Sequence, residues 1–125
     1  MAQQLANLEG CCVLIAEDEP VIALILKDVI EGAGGTIAGV ASSCSEALRM
    51  IDERSVQLVV LDVHLEGHIS DAVLQAADAK RIPVLISSGS DSRALPEGYR
   101  GCPMLAKPWT TVEAEHALLS SLMRK

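Results

Sequence analysis

The 125-residue chain contains no phenylalanine, and Tyr99 and Trp109 are its only aromatic residues. An aromatic role is therefore excluded at every other position. The longest uninterrupted apolar stretch, Val21 to Leu26, is six residues long, far short of the roughly 20 needed to cross a bilayer as a helix. Met1 to Gly10 carries no Lys or Arg and no apolar block before a cleavage site, so no secretory signal is read there. A cytoplasmic protein with no membrane contact is expected. Basic residues are also scarce: 10 Lys and Arg stand against 17 Asp and Glu, for a net charge of −7. That balance excludes a phosphate-backbone footprint, and no nucleic-acid partner is expected. No Cys-x-x-Cys pair occurs, and Cys11, Cys12, Cys44 and Cys102 are expected as reduced, packed thiols.

What remains is a chain half of whose residues are hydrophobic, sized for one domain that buries roughly two thirds of its unfolded surface. Short apolar runs recur at Cys12 to Ala16, Thr36 to Ala41, Leu58 to Leu61, Val84 to Ile86 and, more weakly, Met104 to Ala106. Each is rich in Val, Ile or Leu and does not alternate, the pattern of parallel strands covered on both faces. Helical spacing fills the intervals. Pro20 to Glu31 places Ile22, Leu26, Val29 and Ile30 on one face, and Gly32-Ala33-Gly34-Gly35 ends it. Ser43 and Glu46 form a capping box for a helix running to Arg54, Ser70 can cap Asp71 to Lys80, and Thr110 to Glu113 caps a last helix through Met123. Pro96, Gly98, Gly101 and Pro103 break the interval from Gly89 to Pro103, where one or two turns around Asp91 to Leu95 and then an irregular loop are expected. This alternation implies an α/β fold with a parallel sheet and right-handed crossovers. Residues 1–10 read as a tail, disordered by expectation although Leu5 and Leu8 could dock; residues 11–125 form the domain.

The polar residues that follow the apolar runs carry the chemistry. Glu17 and Asp18 follow the first run, Asp62 the third, Ser88 the fourth and Lys107 the fifth. In an open parallel sheet all five fall on the carboxyl edge, where ligands bind. Three converging carboxylates repel one another, so a proton is retained or a cation is bound. Oxygen ligands beside a phosphate suit Mg²⁺, and Lys107 offers a fixed positive charge to an anion. A metal and a lysine flanking one carboxylate is an arrangement for phosphoryl transfer, with Asp62 as the candidate nucleophile.

Four segments in order, Val13-Leu14-Ile15-Ala16-Glu17-Asp18-Glu19, Leu58-Val59-Val60-Leu61-Asp62-Val63-His64-Leu65, Pro83-Val84-Leu85-Ile86-Ser87-Ser88-Gly89 and Leu105-Ala106-Lys107-Pro108, resemble the receiver domains of bacterial two-component response regulators. The resemblance covers about residues 11 to 123. It implies a doubly wound, five-stranded parallel sheet in the order 2-1-3-4-5, with a short or irregular fourth helix. Asp62 then accepts a phosphoryl group from the phosphohistidine of a histidine kinase or phosphotransfer protein. Asp18 and Asp62 ligate Mg²⁺ through side chains, His64 through its backbone carbonyl and Glu17 through water. Ser88 hydrogen-bonds a phosphoryl oxygen, Lys107 pairs with another, and Lys107-Pro108 is expected to be cis. Met104 stands where many receivers carry a Tyr or Phe that swings inward on activation, so a flexible Met or a loop rearrangement replaces that part of the switch with Ser88. The expected protein is a single-domain receiver, a monomer or weak homodimer, that switches its affinity for a downstream protein.

Two other readings remain at this point. A phosphatase of the haloacid-dehalogenase type also uses an Asp nucleophile with Mg²⁺, but it needs a second acid two residues on, where this chain has His64. A receiver-like module could also bind its partner without phosphorylation. His64 and His68 bracket Glu66-Gly67 but do not form His-Glu-x-x-His, so a zinc site is not expected there.

Overall fold

The computed structural model describes residues 8–89, 97–99 and 101–122. Its elements are β1 (Cys12–Ala16), α1 (Pro20–Gly32), β2 (Thr36–Ala41), α2 (Cys44–Glu53), β3 (Leu58–Asp62), β4 (His64–Leu65), β5 (His68–Ile69), α3 (Asp71–Ala79), β6 (Val84–Ser88), a single 3₁₀ turn (Glu97–Tyr99), β7 (Met104–Ala106) and α4 (Thr111–Leu122). Five strands form one parallel sheet in the order β2-β1-β3-β6-β7. This is the expected 2-1-3-4-5 order, with β4 and β5 forming a separate antiparallel hairpin. The turns expected at Asp91 to Leu95 lie outside the described residues.

The sheet separates two apolar layers because neighbouring strand residues point to opposite faces. Leu14, Val59, Leu61 and Ile86 face α2 and α3, joined by Leu65 from the hairpin and by Tyr99. Val13, Ile15, Val60, Leu85 and Leu105 face α1 and α4. Fully burying each such side chain contributes about 1.5–3 kcal/mol, so the central strands are the most strongly held. The chain ends of α1 and α4 follow from local chemistry. Pro20 occupies the first turn of α1, where its missing N–H costs nothing. Gly34, at φ 96°, ends α1 by letting the Gly34 N–H reach Glu31 O and the Gly35 N–H reach Ile30 O. At α4, Thr110 Oγ1 accepts from the Glu113 N–H while the Glu113 carboxylate accepts from the Thr110 N–H.

Four local expectations change. Strands β3 and β6 run on to Asp62 and Ser88, because ladder pairing continues past the apolar run and sets Asp62 opposite Ser87. The stretch after Val63 is a hairpin, closed by Glu66 and Gly67 at φ 52° and 81°, the paired positive φ values of a tight hairpin turn. Ser70 does not cap α3 with its side chain; two backbone carbonyls and a tyrosine hydroxyl compete for it. Leu8 is fully buried against the α1 layer, with its N–H donating to Ala33 O and its carbonyl accepting from Cys11. The tail therefore joins the core by residue 8, because an apolar side chain beside α1 gains more from burial than it loses in freedom. Leu5 lies outside the described residues. Leu8→Ala should lower the unfolding free energy by about 2–5 kcal/mol, read as a lower urea midpoint at unchanged slope.

Candidate functional site: a lysine among carboxylates at the sheet edge

The parallel register brings the predicted residues to one edge. Ala16 pairs with Leu61, Asp62 with Ser87, and Ser88 with Ala106, so the ends of β1, β3, β6 and β7 lie side by side. Glu17, Asp62 and Lys107 meet there. Lys107 Nζ lies 3.0 Å from Asp62 Oδ2 and 3.1 Å from Glu17 Oε1. Lys107 also stands 3.3 Å from Glu19 Oε1, a contact that the sequence reading did not assign. The Lys107-Pro108 bond is cis, as expected, and the Lys107 N–H donates to Ser88 O at 2.9 Å. Ser88 itself is buried.

Each acid is held by the backbone. Glu17 Oε2 accepts from the Glu19 N–H at 3.1 Å. Asp62 Oδ1 accepts from the His64 N–H at 3.2 Å. Asp18 Oδ2 accepts from the Glu66 N–H at 2.7 Å, so the unexpected hairpin turn serves to fix an acid. Leu65, buried in the α2–α3 layer, anchors that turn. A carboxylate oxygen from each of Glu17, Asp18 and Asp62 lies within 4.8 Å of the other two. Glu17, Glu19 and Asp62 pair with one lysine and Asp18 lies beside them, and the surplus negative charge favours a further cation. The donor set is all oxygen, which fits a hard divalent ion.

Two predicted residues stand apart from this cluster. The His64 side chain is exposed at the start of β4, and only its backbone faces Asp62. Met104 is half-buried on β7 opposite Ile86, beside a groove of about 670 Å³ shared with Val112 and His116.

The charges in the pocket are strongly perturbed. Burial pushes the Glu17 carboxyl up to about 7; the Glu19 N–H pulls against this, the Asp62 charge adds to it, and Lys107 opposes it. Burial pulls the Lys107 ammonium down, but its contacts with Asp62 and Glu17 outweigh that effect and leave its pKa above the ordinary lysine value. Lys107 is thus a permanent cation.

The profile of the response regulator receiver domain matches residues 13–113. The chain belongs to that family. It is 31% identical over 115 residues to the phyllosphere-induced regulator PhyR of Methylorubrum extorquens, covering 88% of this chain and 43% of that protein. The crystal structure of the response regulator PhyR from Brucella abortus superposes with a TM-score of 0.84 at 25% identity, over 98% of this chain and 52% of that one. SdrG from Sphingomonas melonis Fr1 gives 0.81 at 32% identity, over 90% of this receiver and 96% of SdrG. The chain thus spans about half the length of the PhyR proteins it matches. As a receiver it is a regulatory switch rather than a metabolic enzyme, which removes the phosphatase alternative. No helix among the described residues is long and apolar enough to cross a membrane.

The raised Glu17 pKa has a definite sign. Unfolded, this carboxyl ionises near 4.5; folded and metal-free, it ionises near 7. Its contribution to stability is therefore fully present below the unfolded value and is lost as pH rises through about 7. With a chelator present, the native protein should lose melting temperature across that window, and Glu17→Gln should lose less. A Glu17→Gln profile that falls as steeply as the native one would contradict this origin.

Proposed function

We propose that the domain takes a phosphoryl group from a phosphohistidine onto Asp62 in a Mg²⁺-dependent reaction and thereby changes its affinity for another protein. The observation that carries this reading is the Asp62 carboxylate held 3.0 Å from Lys107 Nζ within the Glu17, Asp18 and Asp62 cluster. Asp18 and Asp62 would hold the metal through their carboxylates, Glu17 through water and His64 through its carbonyl. Mg²⁺, when bound, neutralises charge on the phosphoryl oxygens.

The chain's own residues do the rest. Asp62 Oδ1 and Oδ2 are oriented by the His64 N–H and by Lys107, so the nucleophile is presented in one geometry. One carboxylate oxygen bonds to phosphorus as the bond to the donor imidazole breaks; the electron pair of that bond stays on the ring nitrogen, and the imidazole leaves neutral because its other nitrogen already carries a proton. Lys107 then follows the negative charge from Asp62 to a phosphoryl oxygen, and the Ser88 hydroxyl donates to another. Drawing Lys107 and Ser88 inward pulls on the ends of β7 and β6.

The phosphodonor has an apolar place to dock beside the pocket. A groove of about 560 Å³ runs between Ile22 and Ile25 of α1 and the Lys107 to Thr111 segment, with Trp109 on its wall. Val21 and Leu24 of α1 are 68% and 57% exposed, which suits a helix of a histidine kinase or phosphotransfer protein. The downstream partner is a protein. A PhyR from Bartonella quintana is described as an anti-anti-sigma factor, and an anti-sigma factor is a candidate partner on that ground.

Incubation with acetyl phosphate and Mg²⁺ should add the mass of one HPO₃ to the intact protein, and Asp62→Asn should abolish the adduct. An adduct that persists in Asp62→Asn, or no adduct in the native protein, would overturn the proposal.

A further inference from the structure

The strand end that carries Asp62 is also held through its backbone. Ser70, fully buried, directs its hydroxyl to Asp62 O at 2.7 Å and Val63 O at 3.0 Å, and its N–H also donates to Val63 O. Its oxygen lies 3.0 Å from the Tyr99 hydroxyl. Serine has one proton and a carbonyl only accepts, so Tyr99 is the donor whenever Ser70 holds Asp62. Burial first, and the nearby Asp71 carboxylate in addition, keep the phenol neutral. The serine proton thus has three acceptors, two carbonyls and the phenol oxygen, which makes a buried pair with discrete alternative arrangements.

Tyr99 is 1% exposed and packs in the α2–α3 layer. It closes the 3₁₀ turn between β6 and β7, and its carbonyl accepts from the Cys102 N–H. That connection is therefore tied to the pocket at its start by Ser88, just past its end by Lys107, and between them by Tyr99. Met104, which stands where a switching aromatic is common in the resembling domains, has no ring to contribute.

We propose that the Ser70–Tyr99 hydroxyl pair couples the state of Asp62 to the connection between β6 and β7, with Tyr99 as a positioning residue of the switch. The proposal rests on the receiver reading given above. A phosphoryl group at Asp62 shifts the strand end against α3. The Ser70 proton is then redistributed among the Asp62 and Val63 carbonyls and the Tyr99 oxygen, which changes whether the phenol donates to Ser70 or accepts from it. A switch needs contacts that differ between its two states, and these do.

The test uses the full chain with Mg²⁺ and beryllofluoride as the acyl-phosphate mimic, followed by amide NMR. The Trp109 indole and Lys107 amide report the pocket, and the amides of Gly98, Gly101 and Cys102 report the connection. Both sets should move in the native protein. In Tyr99→Phe, which keeps the ring, the pocket signals should move as before while the connection shifts shrink at least about fivefold, the scale of a typical coupling. Ser70→Ala should do the same, and the double variant should do no more than either. Full connection shifts in Tyr99→Phe overturn the proposal, as does a lower melting temperature with an unchanged ratio of the two sets of shifts. Motionless connection amides beside responding pocket signals in the native protein overturn it too. If the native pocket signals stay still, the receiver reading falls and takes this coupling with it.

Discussion

The structure depends on a single cation in a crowded acidic pocket. Lys107 is mostly buried, and burying an ammonium is costly unless opposite charge and hydrogen bonds compensate. Asp62 and Glu17 provide that compensation at 3.0 and 3.1 Å. The dependence runs both ways, because three clustered carboxylates without Lys107 would repel one another across the end of the sheet. Even with it the charges do not balance, and the Asp62 charge adds to the burial that raises the Glu17 carboxyl to about 7. The surplus of carboxylates thus favours a further cation. This is the physical content of a receiver's acidic site.

The sheet converts this local demand into a global one. Asp62 and Ser88 end β3 and β6, and Glu17 directly follows β1, strands whose side chains are buried on both faces, so their backbone cannot retreat when charge in the pocket changes. The parts able to respond are short. The hairpin is fastened to Asp18 by one N–H, and the single 3₁₀ turn is fastened to Ser70 by one phenol. Interiors this closely packed respond by discrete rearrangement rather than smooth deformation, which makes such small attachments fit to act as switch contacts.

The fold and the cluster were legible because parallel strands announce themselves. Short β-branched runs mark the strands, and the polar residue after each run marks the ligand edge. Asp62, Glu17, Asp18 and Lys107 followed from that rule, whereas the choice of Ser88 over Ser87 came from the receiver resemblance. What escaped was set by contacts distant in sequence. The β4–β5 strands are two residues each, too short for any period, and Glu66-Gly67 is a weaker turn signal than Asn-Gly or Asp-Gly. Ser70 reads as a helix cap, yet the Asp62 and Val63 carbonyls take its proton and the Tyr99 hydroxyl pairs with its oxygen. Glu19 meets Lys107 from 88 residues away. Leu8 is a lone apolar residue in a polar stretch, and only the α1 layer reveals its place. The signal for Tyr99 was its rarity: in a chain with two aromatics, a buried phenol needs a partner.

The most direct test of the central claim is a crystal structure with Mg²⁺ and beryllofluoride. The account predicts beryllium on an Asp62 carboxylate oxygen, Mg²⁺ among the Asp18 and Asp62 oxygens, and Lys107 Nζ moved from Asp62 onto a fluoride. Beryllofluoride bound elsewhere, or Lys107 still paired with Asp62 beside an occupied site, would contradict it.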